Sequence, residues 1–194
     1  MAVLGMIEFG GIVKGIRGSD AMIKAAPVAV LQSCPIDPGK YLTIITGDLA
    51  SVEASHAAGM VAAGADGVVD SILLPNLHEQ VLPALRDQVA APECDALGVI
   101  ETRSVASVVI AADAACKASP VQLLNLRLAL HIGGKGYLLL VGDVADVEAS
   151  VGAGGEAAGG QLLDSVVVHN PYQEFYDHLT RHDGGCPPLG GGER

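Results

Sequence analysis

Short apolar runs alternate with longer stretches of helical period along this chain. Val3–Phe9 is a continuous apolar run of strand length. Ile12–Ala26 has helical spacing and stops before Pro27, a residue that turns its predecessor away from helix. Val28–Gln32 reads as a second strand. The loop Cys34–Lys40 follows, with two prolines and a glycine, and then Tyr41–Thr46 as a third strand. Leu49–Ala63 is an Ala-rich helix closed by Gly64, Val68–Leu74 a fourth strand, and Glu79–Leu85 a short closing helix.

The pattern then begins again. Leu4-Gly5-Met6-Ile7-Glu8 recurs as Leu97-Gly98-Val99-Ile100-Glu101, and Asp20-Ala21 with Lys24-Ala25 recurs as Asp113-Ala114 with Lys117-Ala118, both 93 positions on. After a loop that is two residues longer in the second copy, the offset is 95. Gly39-Lys40 matches Gly134-Lys135, Gly47-Asp48 matches Gly142-Asp143, and Val52-Glu53-Ala54-Ser55 matches Val147-Glu148-Ala149-Ser150. Near the end, Asn76 matches Asn170. Ordered matches over most of the length mean a duplicated domain. Strands are expected near Leu97–Thr102, Val121–Ala129, Tyr137–Val141 and Leu162–Val168. Each copy therefore has the order β-α-β-β-α-β, an α+β ferredoxin-like unit. The expected domains are residues 1–86 and 95–182, with a flexible Gly/Pro-rich tail at 183–194.

Composition narrows the functional classes. Half of the 194 residues are hydrophobic, yet aromatics make up only 3% and Trp is absent, so the cores pack small aliphatic side chains. The formal charge of −11 argues against nucleic acid and anionic membranes, which are bound through Lys and Arg. No apolar run has membrane-spanning length. The start of the chain lacks the basic residues of a secretion signal, so a cytoplasmic location is expected. Cys34, Cys94, Cys116 and Cys186 form no Cys-x-x-Cys pair and are expected as free thiols.

The repeated motifs carry a resemblance. Leu-Gly-Met-Ile-Glu, Asp-Ala-x-x-Lys-Ala, Gly-Lys-x-Tyr-Leu and Gly-Asp-Leu/Val-x-x-Val-Glu-Ala resemble the bacterial microcompartment shell domain. The resemblance covers roughly residues 3–85 and 96–179. Two unpermuted domains in one chain are similar to the tandem-domain shell proteins, among them the iron–sulfur type of propanediol-utilisation compartments. It implies a homotrimer of six domains, a pseudohexameric tile in a microcompartment shell, sitting among other shell proteins. Some tandem members also stack two trimers face to face. The centre of the ring is a pore for small metabolites, lined by the loop between the second and third strands.

Carried onto this sequence, the pore-lining residues are Cys34, Pro35, Ile36, Asp37, Pro38 and Gly39 from the first copy, and His131, Ile132, Gly133 and Gly134 from the second. Asp37 would place three carboxylates near the axis, and charged rings select solutes. His131 would change charge between pH 5 and 8. Lys24 and Lys117 match the family's tile-edge lysine. The Arg-Pro-His that members often carry after the fourth strand is replaced by Pro75-Asn76-Leu77-His78 and His169-Asn170-Pro171-Tyr172.

The remaining candidate chemistry is weaker. An alternative reading is an electron-transfer tile with an iron–sulfur cluster on three copies of Cys34. In the iron–sulfur type, however, the cysteine directly precedes Pro-Gly-Lys, where this chain has Asp37. No cofactor is therefore expected, and Cys34 is read as a half-buried thiol. Gly152-Ala153-Gly154-Gly155-Glu156-Ala157 fits a dinucleotide fingerprint but falls inside a helix instead of opening one. Gly134-Lys135 lacks P-loop spacing. Of the six histidines, only His178 and His182 are four apart, and they lie near the expected flexible end. Glu8 and Glu101 recur at first-strand ends, where a structural role such as accepting backbone hydrogen bonds is expected. No nucleophile–base pair is present, so no enzymatic role is expected. A metabolite-binding regulatory module is the other competing class.

Overall fold

The computed structural model describes residues 2–86, 92–93, 95–129 and 132–180. His131, Cys94, Cys186, His182 and the 183–194 tail, which figured in the sequence reading, lie outside the described residues. The chain divides into two compact units, Met1–Leu77 and His78–Arg194.

The first unit runs β1 (Ala2–Phe9), α1 (Ile12–Ala25), β2 (Ala29–Ile36), β3 (Lys40–Gly47), α2 (Leu49–Ala63) and β4 (Val68–Leu77). Its sheet has the order β2-β3-β1-β4, antiparallel throughout. This is the ferredoxin-like arrangement, with α1 and α2 packed together and against the sheet. α1 ends at Ala25, and Ala26, the residue before Pro27, is already extended. α2 is capped by Asp48, whose carboxylate accepts the Ser51 N–H at 3.0 Å, and stopped by Gly64 at φ +77°. Val3, Ile7, Phe9, Met22, Ile45 and Val52 form the core between the layers.

The second unit repeats this plan. β5 (Ala96–Thr102), α4 (Val105–Ala118), β6 (Gln122–Leu128), β7 (Gly136–Gly142), α5 (Val144–Ala158) and β8 (Leu162–His169) give the sheet order β6-β7-β5-β8. Two short helices also belong to it, α3 (Val81–Leu85) ahead of β5 and α6 (Gln173–Thr180) after β8. α3 packs on β6, and Tyr176 of α6 packs with Leu97, Leu124, Leu139 and Val141.

Two strands are longer than their apolar patterns predict. β2 continues through Cys34, Pro35 and Ile36, which the sequence reading placed in a loop. β4 continues through Pro75 to Leu77. Both are outermost strands of their sheet, and proline is tolerated at an edge because no partner strand needs its missing N–H. The dinucleotide-like glycines lie within α5. A Cβ at Gly154 would sit 2.5 Å from Ile100 Cδ1, so this glycine serves helix–sheet contact.

Candidate functional site: the paired hairpins and helix edges

The residues singled out from sequence fall on two hairpins and two helix faces. The first hairpin joins β2 to β3. Cys34 pairs with Leu42, Pro35 with Tyr41 and Ile36 with Lys40, so only Asp37, Pro38 and Gly39 form the turn. The Gly39 N–H closes it on the Ile36 carbonyl at 3.1 Å. The Asp37–Pro38 bond is cis, which makes this a type VI turn. Ile36 is buried, whereas Pro35, Pro38 and Gly39 are exposed and Asp37 is half-buried. Cys34 is half-buried in the strand, and its Sγ accepts a hydrogen bond from Gln32 Nε2 at 3.0 Å.

The second hairpin joins β6 to β7 through a wider loop. The Ala129 N–H donates to the Lys135 carbonyl at 2.9 Å, closing the neck. The Ala129 carbonyl in turn accepts the Gly134 N–H at 3.3 Å. Gly133 and Gly134 lie at φ +67° and +81°, the left-handed region where glycine carries no Cβ penalty. Gly133 is exposed, Gly134 is buried, and Ile132 is half-buried.

Each hairpin is tied to its first strand by an ion pair. Lys40 Nζ lies 2.5 Å from Glu8 Oε1, and Lys135 Nζ lies 2.8 Å from Glu101 Oε1. The recurrent glutamates thus meet lysine ammonium groups, a structural role at the strand end in both copies. The Gly-Lys and Glu that recur in both copies already contained this signal: opposite charges preserved through the duplication at the base of one loop.

The lysines of the helix edges also pair within their helices. Lys24 binds Asp20 and Lys117 binds Asp113, each at 2.6 Å and in the favoured i,i+4 order. Asp20 and Lys24 are largely exposed, but Asp113 is nearly buried and also accepts the His78 N–H at 2.7 Å. Cys116, one turn along, has its thiol pushed up to about 12 by burial and by the Asp113 carboxylate.

Two recurring hairpins on two copies of one domain define what this chain must be compared with. The BMC-domain model matches residues 3–77 and again residues 96–171. This chain belongs to the BMC-domain family. It is 41% identical over 179 residues to the bacterial microcompartment shell protein PduT of Citrobacter freundii, spanning 91% of this chain and 97% of that protein. The carboxysome shell protein CcmK2 of Synechocystis sp. is 41% identical over 85 residues, covering 41% of this chain and 80% of that one. Among solved structures, a microcompartment protein from Desulfitobacterium hafniense DCB aligns with a TM-score of 0.82 at 44% identity, over 92% of this chain and 98% of that one. A fused permuted hexameric shell protein, MSM0275, aligns at 0.62 with 20% identity and shares the fold.

An iron–sulfur cluster at the first hairpin tip does not fit these residues. The turn offers one carboxylate, a proline and a glycine, and among the described residues the nearest thiol in sequence sits inside β2, three positions before Asp37 and bonded to Gln32. Among the described residues, no group of three or more His, Cys, Asp or Glu side chains converges to hold a metal ion. No helix among them is long and apolar enough to cross a membrane.

Proposed function

We propose that this protein is a structural tile of a bacterial microcompartment shell. The observation that carries the reading is the match of both halves to one shell domain, together with end-to-end similarity to a tandem-domain shell protein. Three chains supply six domains and close into a pseudohexameric ring. Duplicated domains in one chain suit such closure, because a head-to-tail contact whose rotation closes makes a ring.

In this ring the turn Asp37–Gly39 and the loop around Ile132–Gly134 alternate about a central pore for small metabolites. Cys34 and Pro35 stand back from the tip on β2, and Ile36 offers backbone only, since its side chain is buried. Three copies of Asp37 give the pore an acidic collar, which disfavours anions. His131 belongs to the same pore lining by its place in the sequence. Lys24 and Lys117 lie toward the tile edge, where other shell proteins abut. By the repeat, the two domains are residues 1–86 and 95–182, with residues 78–86 falling in the second compact unit, and the tile belongs to the cytoplasmic compartment shell. Its relatives are structural proteins, and the chain is read as one without catalytic activity.

Negative-stain electron microscopy of the purified protein tests the reading. Six-lobed particles with a central depression, or sheets of them, are the expected images. Small single-chain particles that never form rings would contradict it.

A further inference from the structure

The two units carry the same helix and the same edge strand, but not the same exposure. On α1, Val13 and Ile16 are 82% and 55% exposed, and Ile12 and Ile23 are exposed beside them. Their counterparts 93 positions on, in α4, are Ala106, Val109, Val105 and Cys116, and all four are buried. The strand edge repeats the contrast, with Val30 40% exposed and Leu123 fully buried. The acidic side chain does so as well: Asp20 is 58% exposed and Asp113 is 10% exposed.

Within the second unit, part of the cover is the stretch that follows β4. The His78 N–H donates to Asp113 Oδ1 at 2.7 Å. The Gln80 carboxamide donates from Nε2 to the Val121 carbonyl at 2.9 Å and accepts the Leu123 N–H at 2.8 Å. One side chain thereby occupies the open edge of β6 as a further strand residue would. Val81, Ala84 and Leu85 of α3 are buried beside it.

A stretch in the same repeat position follows β8. With Asn170 in the place of Asn76, Tyr172 corresponds to His78, Glu174 to Gln80 and Phe175 to Val81. Val81 is fully buried, but Tyr172 and Phe175 are 74% and 52% exposed. The Tyr172 carbonyl accepts the Tyr176 N–H at 2.9 Å, so Tyr172 is the N-cap of α6 and its own N–H falls outside the helix's hydrogen bonds. An exposed apolar face on one unit and an exposed apolar stretch on the other are both present, each with a buried counterpart in the same chain.

We propose that the α1–β2 face of the first unit is the docking surface for residues 170–176 of a second copy of this chain. This rests on the ring reading and names the contact that closes it. The Tyr172 N–H donates to Asp20, as the His78 N–H does to Asp113. Glu174 accepts the Val30 N–H, the position of Leu123. It has no donor for the Val28 carbonyl, so this contact keeps one of the two bonds that Gln80 makes. Phe175 and Tyr172 cover the apolar residues of α1. The contact is heterologous, and its repetition closes a ring.

Sedimentation velocity of the full chain tests this. Ile16→Glu and Phe175→Glu each place a charge on one side of the contact, at positions exposed in the single chain. Val61→Glu is the control, since Val61 is exposed on α2 and its counterpart is already Glu156. Wild type and V61E are expected at three-chain mass, or six-chain mass if two rings stack, and I16E and F175E each at one-chain mass. An equimolar mixture of I16E and F175E is expected to give a two-chain species, because each variant keeps the face the other lacks; misfolded variants would not complement. If I16E and F175E both remain at three-chain mass like wild type, the docking surface is wrong while the ring stands. If the two variants dissociate but their mixture stays at one-chain mass, the proposed pairing is also overturned. A wild type that stays a single chain at every concentration removes the ring itself, and this contact with it.

Discussion

Lys40 reaches across the base of the first hairpin to a glutamate with no solvent exposure, Glu8, whereas Lys135 reaches a half-open one, Glu101. The pairs are equivalent by sequence but not by environment. A buried charge that loses its partner is costly, and an exposed one is not. Lys40→Met is therefore expected to destabilise the protein by about 3 kcal/mol. Lys135→Met is expected to cost at most about 1 kcal/mol. Urea unfolding of the two variants checks this, and equal losses would contradict it.

The two copies solve one packing problem in opposite ways. In the first unit Gly15 of α1 faces Tyr41, and a Cβ on Gly15 would fall 2.2 Å from the Tyr41 Cβ. At the equivalent positions Val108 of α4 faces Gly136, where a Cβ would fall 2.5 Å from Val108 Cγ1. The large and small residues have exchanged sides. Gly15→Val is expected to cost about 2–3 kcal/mol by overpacking. Adding Tyr41→Gly reproduces the second unit's pair, and the double variant is expected to be more stable than the sum of the single losses by at least about 1 kcal/mol. A double-mutant cycle with no coupling would refute the exchange.

His56 on α2 titrates against the fold. Burial lowers its pKa below the ordinary 6.5, a hydrogen bond to the Met6 backbone opposes this only in part, and Nε2 is buried without a partner among the described residues. A depressed histidine pKa means that the unfolded chain takes up the proton first. Its contribution to stability is full above about pH 6.5 and is lost as pH falls from there through the folded-state value. His56→Gln is expected to flatten the stability–pH curve over that window. Melting temperatures measured between pH 7.5 and 5 would show it, and an unchanged slope would count against it.

Thiol chemistry should separate two cysteines. Cys116 is buried, and its thiol is pushed up to about 12, so almost none is thiolate at neutral pH. Cys34 is half-buried on an edge strand. Peptide mapping after iodoacetamide at pH 7.5 is expected to find Cys34 alkylated and Cys116 intact in the native protein. Early modification of Cys116 would contradict the burial of α4.

The architecture was legible because its signals are local. Apolar runs and the Pro27 and Gly64 stops each fix an element within a few residues, and the repeat doubles them at Pro120 and Gly159. Strand length was less legible. Pro35 and Pro75 look like strand breakers until the topology places β2 and β4 at sheet edges. The ion pairs Glu8–Lys40 and Glu101–Lys135 were within reach, since both partners recur, but the pairing joins residues more than thirty positions apart. The contact of Gln80 with β6 carries no local signal, because a carboxamide on a strand edge looks like any surface glutamine. The apolar stripes of α1 and α4 read alike, and only three-dimensional context makes one exposed and the other buried.

The solution mass of the wild-type protein tests the central claim most directly. Light scattering after size exclusion is expected to give three times the 19.7 kDa chain, or six times if two rings stack face to face. A mass of one or two chains at every concentration tried would contradict the ring, and the pore with it.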